Sequence, residues 1–197
     1  MRLLLVRHGQ TRSNVDLVLD TAFPGADLDE VGRGQAEALV ERLAHEPIDA
    51  IAVSDLTRTA QTAAPLAAAR GLTPLVRPGL REIPAGEDEM SSQWQRYVQM
   101  LQGWATDPHG RIPGGESGVE FMARFEGALA DLVGLGHDHL LVVSHGAALR
   151  TWATARLPGF VDEIGRRGLP NTTVIVAEGL PGDGWRLAGI SLPENAL

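Results

Sequence analysis

The chain has 197 residues, a mass of 21.0 kDa, a formal net charge of −8 and a pI near 5.2, with 44% hydrophobic and 21% charged residues. This size and balance predict one ordinary globular domain spanning 1–197, and the acidic surface argues against nucleic acid, whose backbone is bound by clustered positive charge. All 17 basic residues are arginine and cysteine is absent, which closes routes through a thiolate, a disulfide, a zinc–thiolate site, a P-loop lysine or a Schiff base.

At the N-terminus only four apolar residues separate Arg2 from Arg7. That is too short for a signal peptide or a membrane span, and the expectation is a cytoplasmic protein with no membrane partner. "RLLLVR" (2–7) predicts a short buried strand, and 30–45 an amphipathic helix with Ala36, Leu39, Val40 and Leu43 on one stripe. A second strand follows at 49–55, then an alanine-rich helix over 58–70 that Gly71 ends, then a strand within 72–80. Helices are predicted at 91–105 and 117–135, separated by the turn-rich "TDPHGRIPGGES", with Ser117 and Glu120 placed for a capping box. A strong strand pattern at 138–144 precedes a helix over 147–157, and strands at 172–178 and 185–190 close the pattern. Strands alternating with crossover helices predict an α/β fold with a largely parallel sheet. The segment 83–113 is richer in aromatics and poorer in strand, which suggests an insertion over one sheet edge. Within it Trp94, Tyr97, Leu101 and Trp104 share a helical stripe. Trp104 is assigned to the core, while Trp94 and Tyr97 are left between the core and a pocket.

"LLLVRHG" (3–9) and "LLVVSHG" (140–146) share one pattern: four apolar residues, one polar residue, then His-Gly. In a parallel sheet the carboxyl ends of the strands lie on one side, where ligand sites gather, so His8 and His145 are expected at the same edge. The glycines allow a sharp turn and a close approach of ligand to backbone. One such histidine alone would be read as a capped strand end. Two in matching context, with Arg7 beside one of them, point to a site. "SDLTRTAQTA" (54–63) follows another strand and puts Arg58 in the first turn of a helix, where anions are favoured. Arg58 alone would be a solvated helix charge; with Arg7 it makes two planar forks suited to a phosphate or carboxylate.

These motifs, "RHGQTxxN", "SxLxRTxQTA", "LRE", "GGES" and "SHG" in that order between Leu3 and Asn171, resemble the histidine phosphatase superfamily in its phosphoglycerate-mutase-like branch. The resemblance implies a three-layer α/β/α sandwich. It implies that His8 is the nucleophile and becomes a phosphohistidine, and that Arg7, Arg58 and His145 hold the transferring oxygens. Asn14 and the Gly146 N–H would contact phosphate, and Glu82 would be the general acid. Neighbouring guanidinium charges are expected to lower the His8 pKa, and arginine supplies the positive charge, so neither a metal nor any other cofactor is expected. The partner implied is a small-molecule phosphomonoester. Dimers occur in the family, which makes a homodimer an expectation without a marked interface.

Glu87, Asp88 and Glu89 are alternatives for the acid, because Met90 stands where relatives often carry a second glycine after that acidic position. The function expected is a metal-independent phosphatase working through a phosphohistidine. A mutase is the rival within the family; the compact chain, ending shortly after its last strand, favours the phosphatase. A metal-dependent hydrolase using His8, His145, Asp55 and Glu82 is the rival from another class.

Overall fold

The computed structural model describes residues 1–165 and 168–193. In chain order it has β1 (Arg2–Arg7), α1 (Arg12–Val15), α2 (Glu30–Arg42), β2 (Ala50–Val53), α3 (Thr57–Arg70) and β3 (Leu75–Val76). Single 3₁₀ turns at Pro78–Leu80 and Gly86–Asp88 lead to α4 (Gln95–Gly103) and α5 (Gly118–Val133). Then come β4 (His139–Ser144), α6 (Gly146–Arg156), α7 (Phe160–Ile164), β5 (Val174–Leu180) and β6 (Gly184–Ser191).

The sheet order is β3-β2-β4-β1-β5-β6. The first four strands are parallel, while β5 runs antiparallel to β1 and β6 antiparallel to β5. The fold is therefore α/β with a mostly parallel sheet, and the antiparallel pair is confined to one side. Central strands covered on both faces need apolar residues in succession, which is why β1 and β4 are unbroken hydrophobic runs. Their side chains still alternate. Leu3, Leu5, Leu140 and Val142 join a core with Phe121, Phe125 and Trp152 from α5 and α6. Leu4, Val6, Leu141 and Val143 join a second core with Leu39 of α2 and Leu66 of α3. A period-two strand thus feeds two helical layers.

Register carries the strand ends to a common edge. Arg7 of β1 pairs with Ser144 of β4, and the His8 N–H continues the ladder to the Ser144 carbonyl at 3.0 Å. Val53 of β2 pairs with Val143, so Ser54 leaves the sheet beside them.

The predicted elements are present with shifted ends. The helix expected over 30–45 stops at Arg42, where Leu43 turns inward as its buried cap. The strand expected within 72–80 is only two residues long. The helix expected from 91 begins at Gln95, because Met90 takes a left-handed φ of 60° and the Ser91 hydroxyl accepts the Gln93 N–H. α1 and α7, of four and five residues, are too short to show any helical period in sequence. Gly71 ends α3 in the left-handed conformation at φ 64°, as its position predicts.

The capping box at α5 is formed: the Ser117 hydroxyl accepts the Glu120 N–H and the Glu120 carboxylate accepts the Ser117 N–H. Ser117→Ala is expected to lower the unfolding free energy by about 1 kcal/mol, measured by urea denaturation. An unchanged midpoint would mean that Glu120 holds this helix end without the hydroxyl.

Candidate active site

His8, Ser54 and His145 each follow a parallel strand directly, and α3 and α6 begin just beyond two of those strand ends. The glycines in the two His-Gly pairs do different jobs. A side chain on Gly9 would lie 2.7 Å from the Gly32 carbonyl, so Gly9 lets α2 pack against the loop rather than making room for a ligand. A side chain on Gly146 would press on the Arg7 guanidinium at 3.2–3.3 Å, so Gly146 gives that guanidinium its seat.

The hydrogen-bond network assigns both tautomers. His8 Nδ1 lies 2.7 Å from the Gly9 carbonyl and must donate to it, which leaves Nε2 bare. That bare nitrogen accepts the Arg58 Nε–H at 3.2 Å. The same N–H points to His145 Nδ1 at 3.3 Å, so His145 carries its proton on Nε2 and donates to the Ser54 hydroxyl at 2.9 Å. The Ser54 hydroxyl in turn contacts Thr59 of α3 at 3.0 Å. The two imidazole rings are 5.3 Å apart and both are buried. Burial, then the Arg58 and Arg7 charges, push His8 well below its ordinary value of 6.5. Burial and Arg58 also lead the causes that depress His145.

Arg58 is only 2% exposed. Its Nη2 donates to the Asp20 carbonyl at 2.9 Å, while its Nη1 stands 3.7 Å from the Asp20 carboxylate. That Nη1 and the Arg7 Nε are buried donors without a hydrogen-bond partner among the described residues. Arg7 is otherwise tied to the Leu169 carbonyl through Nη1. Burial lowers the pKa of both arginines. Two guanidiniums lining one cleft, that of Arg58 buried and that of Arg7 half-buried, form an anion-binding arrangement.

Glu82 sits at the N-terminus of α6, where its oxygens accept the N–H groups of Ala147 at 3.0 Å and Ala148 at 2.8 Å, with Ile83 N–H at 2.9 Å. Asn14 spends its side-chain oxygen on the Thr11 N–H and the Asn171 amide, which leaves its NH₂ group to the cleft. Arg7, His8, Asn14, Arg58, Glu82 and Gly146 all line one cleft of about 1090 Å³, with His145 directly behind His8.

The alternative carboxylates are engaged elsewhere. Asp55 pairs with Arg81 at 2.6 Å. Glu89 accepts the N–H groups of Thr21 and Ala22 at 2.8 and 3.0 Å, and Glu87 lies 3.1 Å from Arg96. The aromatic stripe of 94–104 is divided differently from expectation. Tyr97 is the buried member at 2% exposure, Trp94 is 39% exposed, and Trp104 stacks on Phe121 while also facing the cleft, so its assignment to the core alone is corrected.

Several positioning residues escaped the sequence reading. Asp20 anchors Arg58 from a loop. The Thr62 hydroxyl accepts the Gly9 N–H at 2.9 Å and donates to the Arg58 carbonyl at 2.7 Å, and the Asn171 amide donates to the His8 carbonyl at 2.9 Å. Arg124 of α5 donates to the carbonyls of Gly79, Arg81 and Glu82, all at 2.9–3.0 Å, and so holds the segment that carries Glu82. Only the spacing of Arg58 and Thr62, four apart on one helix, carried a signal.

A fold of this topology with a paired histidine and arginine cluster at its strand ends defines a phosphoryl-transfer class of protein. The sequence pattern of the histidine phosphatase superfamily (branch 1) matches residues 3–192, and the chain belongs to that superfamily. It is 33% identical to the PE-PGRS family protein PE_PGRS11 of Mycobacterium tuberculosis over 92% of this chain, which spans 35% of that longer protein. It is 36% identical to the probable phosphoglycerate mutase GpmB of Proteus mirabilis over 76% of this chain and 71% of that one. Among solved structures, a mycobacterial glucosyl-3-phosphoglycerate phosphatase in complex with VO₃ superposes with a TM-score of 0.77 at 30% identity, covering 94% of this chain and 96% of that one.

The depressed histidines set a pH dependence of stability. An unfolded chain takes up a proton at each histidine near pH 6.5 and the folded chain does not, so stability present above that pH is lost as pH falls below it. As pH falls from 7.0 to 5.5 both histidines therefore cost the folded chain stability. Urea unfolding of His145→Gln should show a shallower loss of stability with falling pH than the parent chain. Parallel profiles would place the His145 pKa near its unfolded value.

Proposed function

We propose that the protein is a phosphatase that hydrolyses small-molecule phosphomonoesters through a phosphohistidine on His8. The carrying observation is the His8 ring, locked by the Gly9 carbonyl with Nε2 bare, in a cleft that the Arg7 and Arg58 guanidiniums also line. Family membership and the phosphatase among the structural neighbours support the same reading.

In the first step His8 Nε2 attacks phosphorus, the bond to the leaving oxygen breaks, and Glu82 passes its proton to that oxygen. In the second, water attacks phosphorus, the P–N bond breaks, and Glu82 takes the water proton. Arg7 and Arg58 spread over the equatorial oxygens, where charge develops and where electrostatic positioning does most of the catalysis. Asn14 and the Gly146 N–H add neutral donors. His145, buried next to His8, accepts the Arg58 Nε–H and so helps hold that guanidinium in place. The segment 83–113 acts as a cap on the alcohol side of the cleft. The donor set disfavours the metal-hydrolase rival, because the Arg58 guanidinium bridges the two bare nitrogens a cation would need. The GpmB likeness keeps the mutase as the second reading, and interconversion of phosphoglycerate isomers without phosphate release would select it.

Enzyme quenched during turnover should carry phosphate on His8 that survives base and is lost in acid, with activity retained in excess EDTA. Label on serine or a carboxylate, or rescue of EDTA-treated enzyme by a divalent ion, would overturn the mechanism.

Glu82→Gln separates proton transfer from positioning. Phosphorylation of His8 should slow severely with alkyl phosphates and much less with p-nitrophenyl phosphate, whose leaving group is stable as an anion. With the aryl substrate the phosphoenzyme should then accumulate as a burst, because water lacks its base. Equal losses on both substrates in single-turnover kinetics would make Glu82 a positioning residue.

A further inference from the structure

The phosphoryl end occupies only part of the cleft, and the remainder has a different chemistry. Asp20 serves Arg58, and Glu82 lies close enough to Arg7 and Arg58 to shift both, so these four charges gather at the phosphoryl end. Among the described lining residues the other charged side chain is Arg150, which donates to the Gly165 carbonyl at 3.2 Å.

The wall contributed by 94–104 is polar in composition only. The Trp94 indole N–H donates to the Leu17 carbonyl at 2.6 Å, the Tyr97 hydroxyl to the Ile83 carbonyl at 2.7 Å, and the Trp104 indole N–H to the Gly110 carbonyl at 2.8 Å. Each aromatic has its polar handle committed to protein backbone, so what the exposed Trp94 and half-buried Trp104 offer a ligand is ring surface. Leu101 and Met122 extend this surface, and Val98 and Val119 remain 38% and 45% exposed beside it. Apolar side chains left in water around a concave site mark where an apolar ligand lands. A sugar or a hydroxy acid needs its hydroxyls and carboxylate matched by several convergent polar groups, or it pays their desolvation unmatched. Beyond the phosphoryl end the cleft supplies chiefly Gln102, Thr151 and Thr154, with Arg150 donating to the Gly165 carbonyl.

We infer that the natural substrate is the phosphomonoester of a large, predominantly apolar alcohol, whose hydrocarbon or aromatic body lies along Trp94, Leu101, Trp104 and Met122. This assignment rests on the phosphatase reading and adds the class of leaving group to it.

The experiment measures kcat/KM for phosphate release from ethyl, butyl, hexyl and octyl phosphate, each below its critical micelle concentration. p-Nitrophenyl phosphate, glucose 6-phosphate and 3-phosphoglycerate complete the panel. Straight-chain alkoxides differ little in basicity, so the trend with length reports burial rather than leaving-group chemistry. Full burial of a methylene is worth a factor of about 4, and kcat/KM should rise by about 2- to 4-fold per added methylene. Val98→Asp and Val119→Asp, at partly exposed positions, should each flatten that trend and reduce the octyl-to-ethyl ratio at least about 10-fold. A flat trend in the parent enzyme, or a preference for glucose 6-phosphate or 3-phosphoglycerate over octyl phosphate, overturns the apolar-alcohol assignment while turnover of p-nitrophenyl phosphate leaves the phosphatase reading standing. A steep trend that neither aspartate variant changes would place the apolar contact elsewhere and overturn the assigned wall. Absence of phosphate release from every ester overturns both readings.

Discussion

A single N–H, on Arg58 Nε, is shared between two bare imidazole nitrogens, His8 Nε2 at 3.2 Å and His145 Nδ1 at 3.3 Å. A donor placed there requires both rings to be neutral and turns their own protons outward, to the Gly9 carbonyl and to Ser54. The Ser54 hydroxyl then contacts Thr59, on the same helix as Arg58, so the circuit closes on the element from which it began. Burying a guanidinium among neutral rings is costly, and the Asp20 carbonyl and carboxylate offset only part of that cost. The Arg58 Nη1 and the Arg7 Nε have no hydrogen-bond partner among the described residues, so the positive charge of the two arginines is only partly answered by the protein.

That interaction depends on backbone placement at the ångström level. β1 and β4 must pair in the register that opposes Arg7 to Ser144, since a slip of one residue would carry His8 to the other face of the sheet. Arg58 reaches the rings because Gly25, at φ 72°, has no side chain where its Nη1 passes; a Cβ there would stand 2.3 Å away. Glu82 is set by a different device. Its carboxylate rests on the first free N–H groups of α6 while Arg124 grips the carbonyls around it, so the helix end and the carboxylate position each other.

The cleft divides its labour between charge and surface. Charge is concentrated where phosphoryl transfer needs it, at the strand ends, in a low-dielectric setting that strengthens each contact. The rest of the cleft wall comes from the segment 83–113 and from α5 and α6, outside the sheet. No helix among the described residues is long and apolar enough to cross a membrane.

Much of this protein was legible in its amino-acid order. Unbroken apolar runs ending in His-Gly identified buried parallel strands and placed His8 and His145 at one edge, because a residue following such a strand has only one side of the sheet on which to emerge. Gly71 and the Ser117–Glu120 pair marked helix ends through purely local geometry. Local pattern could not show which carboxylate of 82–89 faces the cleft, since that follows from where the N-terminus of α6 lies, and α6 begins 64 residues after Glu82 along the chain. Nor could it show that Asp20, Thr62, Arg124 and Asn171 are the posts that hold the site, because each acts through a backbone group or guanidinium brought near only by folding. The direction of the strands after β4 and the facing of Trp94 and Trp104 were decided in the same way, by packing across distant segments.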